Sequence, residues 1–328
     1  MKEKPLLSII SPCYNEEATL QWSVEQLSAK LLQLKSEQKI DQDSFICLVD
    51  DGSTDNTWKI IRELSVSHPI TSIKLSTNVG HQNALTAGLH YANDKCDCSI
   101  TIDIDLQDDI AVIDTMLERY KAGWHIVLGV RSNRPQGLFY EKVLVTLYYK
   151  LLSVFGIRSI VNHGDYRLLS EKAMAIFSSM KERHIYLRGI FTNLHLPYSV
   201  IKYQSKERQF GKTHYSMQKM FALAWDGISS YSIAPLRFIT IMGLVIFLLS
   251  SFYSVYALYA KLFGSNVVPG WASTVIPVYL LGGLILFSLG IIGEYIGKIY
   301  MEIKQRPLYF IEEIINKRDC HKNSKAKH

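Results

Sequence analysis

The sequence predicts an α/β domain, a mostly parallel sheet flanked by helices, followed by a two-helix transmembrane hairpin. Three observations carry that expectation. Short apolar, β-branched runs alternate with amphipathic helical stretches through the first 131 residues. Several of those runs end in carboxylates instead of glycine-rich turns. From residue 236 onward, two long stretches carry almost no charge.

Taking the elements in order, LLSII at 6–10 predicts a strand stopping at Pro12. Asn15 then predicts the cap of a helix with Leu20, Val24, Leu27 and Leu31 on one face. FICLVD at 45–50 predicts a buried strand, DGST a turn and 55–64 a helix. SIKL at 72–75 is the third strand and 79–91 the third helix; 98–103 is the fourth strand, with a helix over 110–121 behind it. HIVLGVR at 125–131 is the fifth. In such sheets ligands collect outside the carboxyl ends of the strands. That edge gathers Tyr14, Asn15, Glu16, Asp50, Asp51, Asn78, Asp103, Asp105 and Arg131.

The chemical centre is CSITIDIDLQDD at 98–109, a buried-type strand surfacing into an acidic loop. An ionised carboxylate in apolar surroundings costs many kcal/mol unless a cation or hydrogen-bond donors meet it. Asp103 and Asp105, one residue apart, therefore ask for a cation. Oxygen donors with Gln107 beside them suit Mg²⁺ or Mn²⁺ better than zinc. No G-x-G-x-x-G follows any strand and no Walker loop is present, which excludes dinucleotide and P-loop sites. Phosphates have to be held through a metal.

Hydrophobic residues make up 48% of the 328, high for a purely soluble enzyme. The five cysteines match no zinc or redox spacing and read as reduced, cytosolic thiols. The first apolar run is too short for a signal peptide. Much of the net charge of +6 lies in the tail after Asn316, which suits anionic lipid and not nucleic acid.

The ordered motifs SIISPCYNEE, VDDGSTDNT, NVGHQNALTAG, DIDLQDD and GVRSNR resemble the inverting family 2 glycosyltransferases of GT-A fold. Within these, the chain resembles the polyprenyl-phosphate glycosyltransferases that act on dolichol phosphate or bactoprenol. The resemblance implies a nucleotide sugar donor, UDP-linked by preference, and a polyprenyl phosphate such as undecaprenyl phosphate as acceptor, for cell-envelope glycan modification. It implies that Pro12, Tyr14, Glu16, Asp50, Asp51 and Asp103 line the nucleotide pocket. Asp103, Asp105 and Gln107 would hold the metal and donor diphosphate, and Asp165 in NHGDYRLLS would stand beside the acceptor. Asp165, Asp105 and Arg188 form the expected catalytic set. Arg131, Arg134, Arg188 and Lys212 are expected on the acceptor phosphate, because guanidinium forks meet phosphate oxygens two at a time. The family's Ser-Lys-Tyr is replaced by Thr213, His214 and Tyr215, so no lysine role passes to His214.

The domain expectation is a cytosolic catalytic part at 1–214, an interfacial amphipathic helix at 215–235 and a first span at 236–260. An extracytoplasmic loop at 261–272, a second span at 273–295 and a basic cytosolic tail at 296–328 complete it. Positive residues before the first span and after the second place both termini in the cytosol. A homo-oligomer is compatible with the sequence but not required by it. Two rivals have signatures of their own. A processive polysaccharide synthase would carry Gln-x-x-Arg-Trp, and no tryptophan here lies in that motif. A non-catalytic membrane scaffold would have no reason to keep Asp103, Asp105 and Asp165 together.

Overall fold

The computed structural model describes residues 1–132, 163–180, 182, 187–205, 234–263 and 270–316. The chain divides into two compact units. Met1–Lys150, Arg158–His214 and Arg306–His328 form the first; Leu151–Ile157 and Tyr215–Gln305 form the second.

The first unit opens with β1 (Leu7–Cys13), α1 (Leu20–Ser36), β2 (Phe45–Asp50), α2 (Thr57–Ser67) and β3 (Ile70–Leu75). It continues through α3 (His81–Ala92), β4 (Cys98–Thr101), α4 (Val112–Lys121) and β5 (Ile126–Arg131). Then come β6 (His163–Ser170), α5 (Glu171–Ser179), α6 (Leu187–Thr192) and β7 (Tyr198–Tyr203). On α1 the residues Leu20, Val24, Leu27, Leu31 and Leu34 are fully buried, the face that a 3.6-residue period predicts. The helix starts later than expected: Thr19 is its cap, and Asn15 takes a left-handed φ of 54° in the preceding loop.

The sheet order is β7-β5-β6-β4-β1-β2-β3-β8, with β8 spanning Ile311–Asn316. β4, β1, β2 and β3 run parallel, as do β5 and β7. The expectation of a mostly parallel sheet needs correction on two strands. β6 enters antiparallel between β4 and β5, and β8 runs antiparallel along β3. Consecutive strands in sequence are not all neighbours, because β6 comes back between β4 and β5 and separates them.

β8 lies within the stretch expected as a basic cytosolic tail at 296–328. Lys74 pairs with Glu312 at 2.8 Å, and Arg62 on α2 meets both oxygens of Glu313 at 2.7 Å. His90 Nδ1 lies 2.9 Å from the Tyr309 hydroxyl. These contacts draw the segment onto the sheet. Among the described residues the four cysteines Cys13, Cys47, Cys96 and Cys98 are buried and free, as expected of reduced thiols.

The second unit contains α7 (Ala234–Phe263) and α8 (Trp271–Lys304). Phe238, Leu248, Leu249 and Phe252 on α7 and Ile285, Leu286 and Phe287 on α8 are more than half exposed. Within α8, Leu281–Lys304 is long and apolar enough to cross a membrane, the one such segment among the described residues. It overlaps the expected second span at 273–295. The expected interfacial helix lies outside the described residues, apart from its last two positions, which open α7.

α3 packs on the centre of the sheet at Gly88, where an added Cβ would stand 2.4 Å from Ile10 Cγ2 and 3.1 Å from Val49 Cγ2. Gly88→Ala is therefore expected to destabilise the domain by about 1–3 kcal/mol through overpacking. Thermal or denaturant unfolding of the purified protein checks this, and an unchanged midpoint would disprove the tight contact.

Candidate active site

The loops leaving β1, β2 and β3 are bonded into one unit. Asn15 Oδ1 accepts from the Thr54 amide at 2.8 Å, while the Asn15 amide donates to Ser53 Oγ at 3.0 Å. The Glu17 carboxylate takes both nitrogens of Asn56, at 3.1 and 3.0 Å. Gly52 turns with φ +65°, and a Cβ there would meet the Thr77 carbonyl carbon at 2.5 Å, so the second loop fits against the third only without a side chain.

Sequence reasoning put Pro12, Tyr14, Glu16, Asp50 and Asp51 around a nucleotide. Pro12 is buried in β1, Tyr14 is 45% exposed beyond its end, and Glu16 accepts a hydrogen bond from the Thr19 hydroxyl. Burial pushes the Asp50 carboxyl above the usual carboxylate range, against the pull of Ser53 and Lys74. Asp51 also has a role within the protein. It is buried, and its two oxygens accept the amides of Val79 at 2.8 Å and Gly80 at 3.0 Å, which engages it in fixing the third loop.

β4 ends at Thr101, and the chain turns through Asp103–Leu106, with Leu106 held at φ +47°. Asp103 and Asp105 are partly exposed and Ile104 between them is buried. Gln107 donates its side-chain amide to Asp105. The Asp103 carboxyl is pushed up to about 6, by burial first and then by Asp165, Asp108 and Asp105, with His81 opposing.

Across the β4–β6 ladder stands Asp165, bonded through Oδ1 to Arg167 two residues along the same strand face. Arg167 is fully buried, its guanidinium 4.8 Å from the centre of the Phe191 ring. Asp165 and Asp103 converge on one imidazole: His81 Nε2 is 3.3 Å from Asp165 Oδ2 and 3.4 Å from Asp103 Oδ1. Burial opposes protonation of His81, but Asp165 and Asp103 outweigh it and raise its pKa.

Arg131 was expected on an acceptor phosphate. The structure gives it a protein partner: Nε and a terminal nitrogen lie 2.9 and 2.8 Å from Asp108 Oδ1. Tyr203 donates its hydroxyl to the same oxygen at 2.6 Å. Asp108 is almost wholly buried, while the Arg131 side chain remains 30% exposed at the rim. Arg134, Lys212 and the side chain of Arg188 lie outside the described residues.

Among the described residues no three His, Cys, Asp or Glu side chains close around a point that would hold a metal alone. Asp103 and Asp105 nevertheless offer hard oxygens, and Asp103 Oδ1 is buried without a hydrogen bond. One or two carboxylates completed by substrate phosphates are what Mg²⁺ needs, so the donor set fits. His81 and Arg167 escaped the sequence analysis. The signal for Arg167 was legible, because residues two apart on a strand share a face; that for His81 was only its place at the ligand edge.

Residues 8–177 match the family model described as glycosyl transferase family 2, and 234–299 match the GtrB C-terminal hairpin. The chain is 43% identical over 312 residues to "Uncharacterized glycosyltransferase YkoT" of Bacillus subtilis, covering 95% of this chain and 92% of that one. It is 33% identical over 309 residues to "SfII prophage-derived bactoprenol glucosyl transferase" of Shigella flexneri, covering 94% and 97%. A "Prophage bactoprenol glucosyl transferase homolog" of Escherichia coli is 33% identical over 310 residues, covering 94% and 99%.

The raised Asp103 gives a pH signature. With a folded pKa of about 6 against about 3.9 unfolded, the folded state binds more protons between those values, so stability falls as pH rises through that window. In chelator, Asp103→Asn should therefore unfold later than the parent at pH 7.5, by ~1–2 kcal/mol, and lose that advantage near pH 4. Melting curves at both pH values measure it, and an equal difference at both would refute it.

Proposed function

The chain belongs to glycosyl transferase family 2, and from that premise we propose that it transfers a sugar from a nucleotide diphosphate donor to the phosphate of a membrane polyprenol. The carrying observation is that Asp103 and Asp165, 62 positions apart in sequence, meet at one imidazole. A donor-side carboxylate and an acceptor-side carboxylate thus share one centre. The bactoprenol glucosyl transferases among the relatives support a polyprenol acceptor.

On this reading the nucleotide, UDP by preference, lies along the loops after β1 and β2, with Tyr14, Glu16 and Asp50 beside it. Asp103 and Asp105, with Gln107, hold Mg²⁺ or Mn²⁺; bound there, the cation offsets charge on the departing diphosphate. Asp165, steadied by Arg167, orients the acceptor side, and Arg131 marks the rim where a lipid phosphate arrives. Arg134, Arg188 and Lys212 are assigned to the acceptor phosphate from the sequence resemblance alone. Attack from the face opposite the diphosphate inverts the anomeric carbon.

The hairpin reading has independent support. β8 pairs with β3, so the segments before and after the apolar helices lie on one side of a membrane, and the number of crossings between them is even. Leu281–Lys304 supplies one crossing and α7 the other. Arg237 near the start of the first and Lys304 and Arg306 at the end of the second favour the cytosolic face for the catalytic part.

Membranes containing the chain, given undecaprenyl phosphate and labelled UDP-glucose, UDP-N-acetylglucosamine or GDP-mannose, should yield one lipid-linked sugar. Asp103→Asn and Asp105→Asn should each lower that yield by about 100-fold or more, since Lewis-acid assistance is worth several kcal/mol. Undiminished transfer by either variant in chelator would refute the metal site.

A tag placed at 264–269 should be protected in sealed inside-out vesicles while a tag after His328 is accessible. The reverse pattern would overturn the orientation, and two accessible tags would overturn the hairpin.

A further inference from the structure

We infer that His81 is a positioning residue for the transfer, its ring nitrogen fixing the acceptor-side carboxylate of Asp165 at the point where the donor-side carboxylate of Asp103 stands beside it. The inference rests on the proposed reaction. Nε2 lies 3.3 Å from Asp165 Oδ2 and 3.4 Å from Asp103 Oδ1, and Asp103 Oδ1 has no hydrogen bond, so a hydrogen on that nitrogen serves Asp165. Without it two like charges would face one another across the centre, and each would drift toward whatever cation was nearest.

The rest of the local structure holds the imidazole in place. His81 is the first residue of α3, and the two residues before it are clamped by Asp51 through the amides of Val79 and Gly80. Gly80 turns at φ +90°, and the space a Cβ would occupy there is open, so its need for glycine is conformational and not steric. On the other side Gln82 Oε1 accepts the Leu187 amide at 3.1 Å, which ties the start of α3 to α6. Asp165 is gripped from two directions, Oδ1 by Arg167 and Oδ2 by His81, so its plane is fixed as well as its place.

The test compares His81→Ala with His81→Gln, whose side-chain amide nitrogen reaches the place of Nε2. Steady-state kinetics with nucleotide sugar and undecaprenyl phosphate would be read beside calorimetric titration of UDP with Mn²⁺ and a melting curve. His81→Ala should lower kcat about 100-fold, the loss expected of a misplacement near 1 Å, while UDP–Mn²⁺ affinity stays within about threefold. His81→Gln should recover at least about tenfold of the lost kcat, because it restores the donor. Wild-type kcat in His81→Ala overturns the inference, as does a glutamine variant no better than alanine. A drop in UDP–Mn²⁺ affinity that accounts for the whole defect also overturns it, by making His81 a donor-site ligand, and that titration needs no acceptor. Absence of any lipid product from the parent protein would count against the proposed reaction instead.

Discussion

The site depends on how one sheet edge tolerates five carboxylates, Asp50, Asp51, Asp103, Asp108 and Asp165, all desolvated to some degree. Burying charge without a partner is prohibitive, so each acid needs an answer from the protein or from a ligand. Asp51 is answered by two backbone amides, Asp108 by Arg131 and Tyr203, and Asp165 by Arg167. Asp103 is answered only in part, by an imidazole shared with Asp165, and its pKa is raised as a consequence. Satisfied acids build the frame; Asp50 and Asp103, which keep buried oxygens without hydrogen bonds, are where an incoming ligand or cation gains most. That ordering of partners separates scaffold from site more sharply than the residue types do.

The alternation of apolar runs and amphipathic helices was legible, and β1 to β5 with α1 to α4 stand close to where the periodicity puts them. Asp103 and Asp105 were legible too, since a strand that ends in closely spaced acids has few physical explanations. What the sequence did not reveal for Asp51 is its bond to the third loop, because Val79 and Gly80 lie 28 and 29 residues further on. β6 was hard to place because Asp165 and Arg167 interrupt its apolar pattern, each tolerable only because the other is present. The IEEIIN of β8 carries no strong strand signal alone; its glutamates gain meaning from Arg62 and Lys74, more than two hundred residues earlier.

β8 gives the fold something the sequence analysis did not anticipate. An uncovered edge strand offers a row of unpaired amides and carbonyls, and β3 would have been such an edge. The chain covers it with a segment that follows the two apolar helices in sequence. Phe310 and Ile311 lie where β8 meets the carboxyl end of β3, the edge on which the loops of the candidate site stand. The catalytic part is thereby completed by residues that follow the hairpin.

Arg167 bears on what Asp165 can do in the proposed reaction. A sugar hydroxyl as nucleophile would need a general base, but the second pKa of a phosphate monoester is about 6, so near neutral pH the acceptor is already mostly dianion. A base would find little proton to remove. Asp165 is also poorly placed to take one, because neutralising it would deprive a fully buried guanidinium of a charge it is bonded to. The harder task is bringing a dianion into line past an acidic rim, and positioning of that kind is worth roughly 7–11 kcal/mol of a barrier, against about 10²–10⁴ in rate for general base catalysis. A carboxylate locked between an arginine and a histidine suits the first task and not the second, which is why orientation is the role assigned to Asp165.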